Sequence, residues 1–326
     1  AEVAAVARAV GRKGGLYVSH VRVIKSDDVL APYAEAIAVG AEADLPVQIT
    51  HFKTMNAALY GRAEEMLAVV DDARAHGRDV TVASYPYTGG GGGLRVPSWA
   101  EEGGPSEILR RLRDPEQRRR IAIELEEAWV WDTHIAGVRS QANKWCERRK
   151  IADIAETLRT TPGDVICRLI EMEDMAVGAV HYHEGEADVR RILAYPGHMV
   201  GSDTQHFGDY RHPRGYGTFP RMLGRYVREL AVLRLEDCVR RMTSFPAQRL
   251  GLVDRGLLKV GLAADITIFN PETVADRATF EQPQQYPEGI PYVIVNGRVV
   301  IDQGRHTGVA AGRALRRGQP YAAVSL

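Results

Sequence analysis

The residues in this chain best suited to chemistry stand where short apolar runs end. Leu16-Tyr-Val-Ser runs into His20, Pro46-Val-Gln-Ile-Thr into His51, and Met199-Val-Gly-Ser into Asp203. Imidazole nitrogens and a carboxylate brought to one point make a set suited to zinc or a similar divalent ion. Such an ion lowers the pKa of bound water to about 7. An aspartate beside it can take that water's proton and return it to a leaving group. The chemistry described is hydrolysis of an amide or a related bond. Plainer explanations exist for each residue singly: a strand-end histidine can cap a loop carbonyl, and Ser-Asp favours turns and helix N-caps. Two histidines ending successive runs, with an aspartate at a third end, favour the metal.

Cations and an aromatic accompany them. Lys53 follows His51 by two residues, Tyr85 ends another apolar run, and Arg214 lies in His212-Pro-Arg-Gly-Tyr-Gly-Thr-Phe219. A lysine and an arginine at one mouth would hold an anionic group, such as a carboxylate gripped by both arms of the guanidinium. Surface arginines are common, so residue types alone leave this beside the reading of an ordinary solvated pair. His181-Tyr-His183 has the look of a chelating pair but opens a polar loop, where a lid or substrate contact explains it better. Thr88 and the glycines 89–93 lack the Gly-Lys-Ser/Thr continuation of a phosphate loop and read as a mobile loop.

The elements that must position these residues follow a regular grammar at first. A helix over 29–43, capped by Asp27 or Asp28, separates the first two runs. A second helix over 62–76 stops at Gly77, and a strand over 80–84 ends on Tyr85-Pro-Tyr87. Strand–helix alternation with short loops belongs to a parallel α/β barrel or sheet, whose active sites lie at the carboxyl ends of the strands. The alternation then breaks. A charged helical stretch over 105–127, an irregular one over 129–145 and a helical one over 151–172 form an excursion too long for a connector. It reads as an insertion where lids sit. Strand patterns resume at 176–180 and 199–203, helices at 219–230 and 235–244. From Gly256 the texture is short alternating strands with an Asn296-Gly297 hairpin turn, a small β appendage.

Composition bounds the partners. The 326 residues are 45% hydrophobic and 26% charged, which fits a soluble chain with one large domain and an appendage. Lys+Arg and Asp+Glu are balanced at 42 each, so neither nucleic acid nor an anionic membrane surface is indicated. No apolar run is long enough to span a bilayer. Cys146, Cys167 and Cys238 are odd in number and widely spaced, which argues against a disulfide framework and for the cytoplasm.

Together these motifs resemble a known family. Tyr17-Val-Ser-His20-x-Arg22, Gln48-Ile-Thr-His51-Phe-Lys53, Tyr85-Pro-Tyr87, Gly201-Ser-Asp203 and His212-Pro-Arg-x-Tyr-Gly-Thr-Phe219-Pro are similar to those of the N-acyl-D-amino-acid deacylases (D-aminoacylases), within the metal-dependent amidohydrolase superfamily. Met242-Thr-Ser-Phe-Pro-Ala247, Arg249-Leu-Gly-Leu252 and the stretch from Asp254 to Asp265 resemble that superfamily's return from barrel to β-sandwich. The resemblance implies a (β/α)8 TIM-like barrel over residues 1–254, with a lid-like insertion at about 88–175, and a β-sandwich portion and tail over 255–326. It implies zinc held by His20 and His51, Asp203 as catalytic acid/base, and Lys53, Tyr85 and Arg214 on the substrate's carboxylate. The implied reaction is hydrolysis of an N-acyl-D-amino acid to a carboxylate and a D-amino acid.

Departures from the family pattern shape the expectation. The family's first barrel strand, with its His-x-His pair, and a later bridging cysteine have no match, so the barrel is expected to be incomplete, with its N-terminal strands absent. An N-terminal segment or another subunit would then complete it. After Arg22 the chain reads Val23-Ile-Lys-Ser where the family has an acidic Asp-Glu-Gly. Two alternatives stand beside the deacylase: a cyclic-amide hydrolase of the hydantoinase or dihydropyrimidinase kind, and an inactive fragment or structural subunit lacking the remaining metal ligands.

Overall fold

The computed structural model describes residues 2–22, 29–54, 59–128, 132–182, 185–204 and 212–319. Among these, strands β1 (Tyr17–Ser19), β2 (Val47–Ile49), β3 (Val80–Ser84), β4 (Gly89–Gly93), β5 (Thr133–Gly137), β6 (Gly178–Tyr182) and β7 (His198–Val200) divide into two sheets. The first is parallel, in the order β1-β2-β3-β7. β3 and β7 are neighbours although residues 85–197 lie between them in the chain.

Why these runs are strands follows from what they cover. Val47, Ile49, Val80 and Val82 are buried against Tyr33 and Ile37 of α2 (Ala31–Glu42) and Met66, Leu67 and Val70 of α3 (Ala63–Ala75). Each such side chain withdrawn from water contributes roughly 1.5–3 kcal/mol. The alternate positions Gln48 and Thr81 turn to the other face, where the Thr81 hydroxyl donates to Gln48 Oε1 at 2.5 Å. Asp27 and Asp28, expected to cap α2, lie outside the described residues; α2 itself opens with Pro32 in its first turn.

The second sheet corrects two expectations. It is antiparallel, in the order β4-β6-β5. The glycine run is therefore a strand, not a mobile loop, and the strand near 176–180 pairs with β4 and β5 instead of rejoining the parallel sheet. β5 falls in a stretch that reads as irregular, because its pairing and not its local pattern makes it a strand. Beside α1 (Glu2–Gly11), α4 (Ser98–Glu101) and α9 (Glu186–Ala194), the helical stretches are each broken at a proline into α5 (Pro105–Arg113) and α6 (Pro115–Ala128), and α7 (Ile151–Leu158) and α8 (Pro162–Met172). Ile108, Leu112, Ile121, Ile135, Ile151 and Leu169 give this unit a core of its own.

After β7 the chain forms α10 (Arg214–Arg221), whose Pro220 withholds a backbone donor; the helix continues over Met222–Glu229 with a wider turn. A four-stranded antiparallel sheet follows, β8 (Ile266–Ile268), β9 (Tyr292–Val295), β10 (Arg298–Asp302) and β11 (Arg305–His306). Asn296 and Gly297 both have positive φ, 49° and 77°, as a tight hairpin matched to strand twist requires. No helix among the described residues is long and apolar enough to cross a membrane.

Candidate active site

His20 follows the last residue of β1, His51 lies two past β2, Tyr85 follows β3 and Asp203 lies three past β7. Parallel, in-register pairing brings these four to one edge of the sheet. Around His51 the backbone is pinned on both sides: the Thr50 N–H donates to the Ser19 carbonyl at 2.9 Å and the Phe52 N–H to the Ala83 carbonyl at 2.8 Å. The turn between them puts His51 at φ 32°, and Asp203 stands at φ 47°. For residues other than glycine this region costs on the order of 1–3 kcal/mol and persists where surrounding bonds enforce it. Here it aims two of the three residues singled out for chemistry.

The two imidazoles converge. His20 Nδ1 lies 2.5 Å from His51 Nε2, with ring centroids 4.4 Å apart and planes at 76°. At most one proton fits between those nitrogens. Burial pushes the His51 pKa down to about 4, helped by neighbouring His20 and opposed by Asp203. The pKa of His20 is also lowered, first by burial and then by Arg95, again against Asp203. Both rings are thus held neutral, the form that binds a metal. Two neutral nitrogens facing one point from rigid strand ends fit two ligands of a divalent ion. Among the described residues no group of three His, Cys, Asp or Glu is placed to hold one, so this pair supplies part of a coordination shell.

Lys53 and Arg214, expected around the mouth, lie beneath it. Both are 1% exposed, and Tyr85 is 3% exposed. The Lys53 ammonium lies 4.0 Å and the Arg214 guanidinium 4.4 Å from the centroid of the Tyr85 ring. Buried cations need charge-assisted partners. Lys53 Nζ donates to the carbonyls of Tyr87 at 2.8 Å and Gly89 at 3.2 Å. Arg214 Nη1 lies 2.9 Å from Asp203 Oδ2, and Nη2 is 3.5 Å from the Gly91 carbonyl. A Cβ on Gly91 would sit 3.4 Å from Arg214 Nη2, in ordinary contact, so β4 passes close alongside the guanidinium.

Three supporting residues escaped sequence reasoning. His212 is buried beside Tyr85 and Tyr87. Arg221 donates to the Pro86 carbonyl at 2.9 Å and pairs with Asp276 at 3.0 Å, clamping Tyr85-Pro-Tyr87 from behind. Nothing in the sequence relates Asp276 to that motif; His212, within its own motif, carried at least a local signal. His181 is not at the His20–His51 pair. Its Nδ1 is 3.0 Å from the Thr133 hydroxyl in the second sheet, and burial pushes its pKa down to about 4. His183 lies outside the described residues.

Known proteins resemble this chain along nearly all of its length. The chain is 34% identical to a D-aminoacylase of Alcaligenes xylosoxydans xylosoxydans, over 97% of its own length and 58% of that protein's. A crystal structure of D-aminoacylase superposes with a TM-score of 0.81 at 33% identity, covering 97% of this chain and 59% of that one. The N-acyl-D-glutamate deacylase from Bordetella bronchiseptica, solved with zinc and a phosphonate inhibitor, superposes with a TM-score of 0.76 at 32% identity, covering 94% and 58%. The chain thus spans a little under three-fifths of these relatives. A family model described as the amidohydrolase family matches residues 1–301, and with its α/β sheet delivering two histidines and an aspartate to one edge, the chain belongs to that family.

Proposed function

We propose that this chain carries the active site of a zinc-dependent deacylase that hydrolyses N-acyl-D-amino acids to a carboxylate and a D-amino acid. The observation that carries the reading is the meeting of the neutral His20–His51 pair and the Asp203–Arg214 ion pair at one sheet edge. Similarity to the named deacylases supports the substrate class. We read the parallel sheet as part of a (β/α)8 barrel within residues 1–254. The unit from about residue 88, extended through β6 by its pairing, is its inserted lid, and the sheet within 255–326 is part of a β-sandwich. The three buried, unpaired cysteines accord with the cytoplasm.

His20 Nδ1 and His51 Nε2 would hold the metal, which when bound supplies Lewis acidity toward the amide carbonyl and the attacking water. Asp203 takes the proton from water as the new C–O bond forms and delivers it to nitrogen as the C–N bond breaks. Arg214 holds that carboxylate in place through Oδ2. Lys53, Tyr85 and Arg214 receive the substrate's own carboxylate, which their clustered positive charge favours.

Two buried cations favour a substrate with a free carboxylate over a cyclic amide. The inactive-subunit reading draws on the incomplete ligand set among the described residues. Zinc per chain, measured together with turnover of N-acetyl-D-amino acids, their L-enantiomers, hydantoin and dihydrouracil, tests all three. Bound zinc with turnover of the D-substrates alone is expected. Preference for the cyclic amides, or zinc bound without any turnover, overturns the proposal.

A further inference from the structure

We infer that His212 is a positioning residue of this site: a neutral imidazole that sets the spacing of Arg214 and Lys53 by joining the backbone of one to the carbonyl that holds the other. The inference rests on the deacylase reading for its consequence, but on hydrogen-bond geometry for its premise. The Arg214 backbone N–H points at His212 Nδ1, 3.0 Å away, and an N–H can only donate. Nδ1 therefore carries no proton. Nε2 stands 2.9 Å from the Gly89 carbonyl oxygen, which can only accept, so Nε2 carries the proton. Only the neutral Nε2–H tautomer satisfies both bonds; an imidazolium would set Nδ1–H against the Arg214 N–H.

The Gly89 oxygen is shared. It also accepts from Lys53 Nζ at 3.2 Å. One carbonyl thus links the lysine after β2 to the start of α10, where the Arg214 N–H is among the donors a helix leaves unpaired. Asparagine or aspartate at 212 could accept from that donor two residues on, as in an Asx turn, but neither reaches on to Gly89. Histidine does both. The ring has no freedom to swing: it is 7% exposed, with Tyr85, Tyr87 and Phe280 edge-on at centroid distances of 5.8, 5.4 and 5.1 Å. Gly89 is confined too, since a Cβ there would lie 3.2 Å from the Phe280 ring. A carboxylate held by two cations needs them fixed to within about 0.5 Å, and His212 bridges the two segments that carry them.

The test uses the zinc-loaded protein with two substrates, an N-acetyl-D-amino acid and the matching N-acetyl-D-amino amide, which lacks the carboxylate. His212→Phe keeps the ring volume and loses both bonds. KM should rise at least tenfold for the acid but less than twofold for the amide, while any fall in kcat, through the Asp203 that Arg214 anchors, should be the same for both. His212→Gln, whose amide can still donate to Gly89, should bring KM back to within threefold of wild type. Where the Phe variant fails to fold, His212→Asn, which caps Arg214 without reaching Gly89, carries the same prediction. Nitrogen NMR of the wild-type ring should show the Nε2–H tautomer at pH 7. An imidazolium or Nδ1–H ring, or an equal rise in KM for both substrates, overturns the inference. Absence of wild-type deacylase activity would instead overturn the functional reading, leaving the ring spectrum to judge the bridge.

Discussion

Arg214 and Asp203 are ion-paired at 2.9 Å across a steep gradient of exposure, the arginine side chain 1% and the aspartate 35% accessible. The cation is fixed from within by Tyr85 and β4, so its partner carboxylate is held at the rim yet open on its outer side. That is the arrangement a proton-shuttling aspartate needs: anchored through one oxygen and partly open to solvent.

Asp203→Ala should therefore lower kcat by at least about 10²-fold, the low end of what general acid–base catalysis contributes. Zinc content should stay at the wild-type value, because His20 and His51 keep their places. Stopped assays paired with metal analysis check this, and normal turnover would remove Asp203 from the mechanism.

Arg214→Ala should weaken binding of carboxylate-bearing substrates and, because Arg214 anchors Asp203, lower kcat as well. A charged hydrogen bond contributes about 1.5–3 kcal/mol, so KM should rise roughly 10- to 150-fold. Arg214→Lys should recover only part, since an ammonium cannot grip a carboxylate with two parallel bonds. An unchanged KM in the alanine variant would exclude Arg214 from the pocket.

Acid should destabilise the fold through buried histidines away from the His20–His51 pair. Burial, with Arg241 nearby, pushes the His198 pKa down to about 3, where its Nε2 accepts from the Ser84 N–H at 3.2 Å; burial pushes His181 to about 4. In the unfolded chain both titrate near 6.5, so below that pH the unfolded state binds more protons. Stability is complete above pH 6.5 and declines as pH falls to 4, by roughly 1.4 kcal/mol per pH unit for each histidine. Urea unfolding of metal-free protein at pH 7 and pH 5 measures the loss. His198→Asn should shrink it by the share of one histidine; an unaltered loss would show that His198 is not the group titrating.

Neighbouring glycines of β4 should respond oppositely to alanine. A Cβ on Gly92 meets nothing within 4 Å, so Gly92→Ala should be neutral or stabilising by about 0.4–1 kcal/mol through the unfolded chain. On Gly89 it would press on Phe280 at 3.2 Å and the His181 carbonyl at 3.3 Å, and Gly89→Ala should cost about 1–3 kcal/mol and raise KM. Thermal unfolding distinguishes them, and equal effects would deny the close packing of β4.

Much of the parallel sheet was legible before any coordinates, because its signals are local. Val47-Gln-Ile49 and Val80–Ser84 are short apolar runs flanked by helical periodicities, and Gly77 and Asn296-Gly297 mark turns through backbone freedom that neighbours cannot override. Strand polarity then forces His20, His51, Tyr85 and Asp203 to one edge. The same local reasoning failed on β4, since a run without side chains carries no alternation to read, and on β5, whose strand state comes from pairing with β6.

By itself the sequence determined which residues end the strands and what chemistry their types allow. Only the tertiary structure decided that β7 lies against β3, that Lys53 and Arg214 point inward beneath Tyr85, and that His212 spans the gap between them. Strand ends follow from patterns a few residues long. A buried cation is set by which distant carbonyls and rings close around it, here those of Tyr85, Tyr87, Gly89 and Gly91, far from Arg214 in the chain.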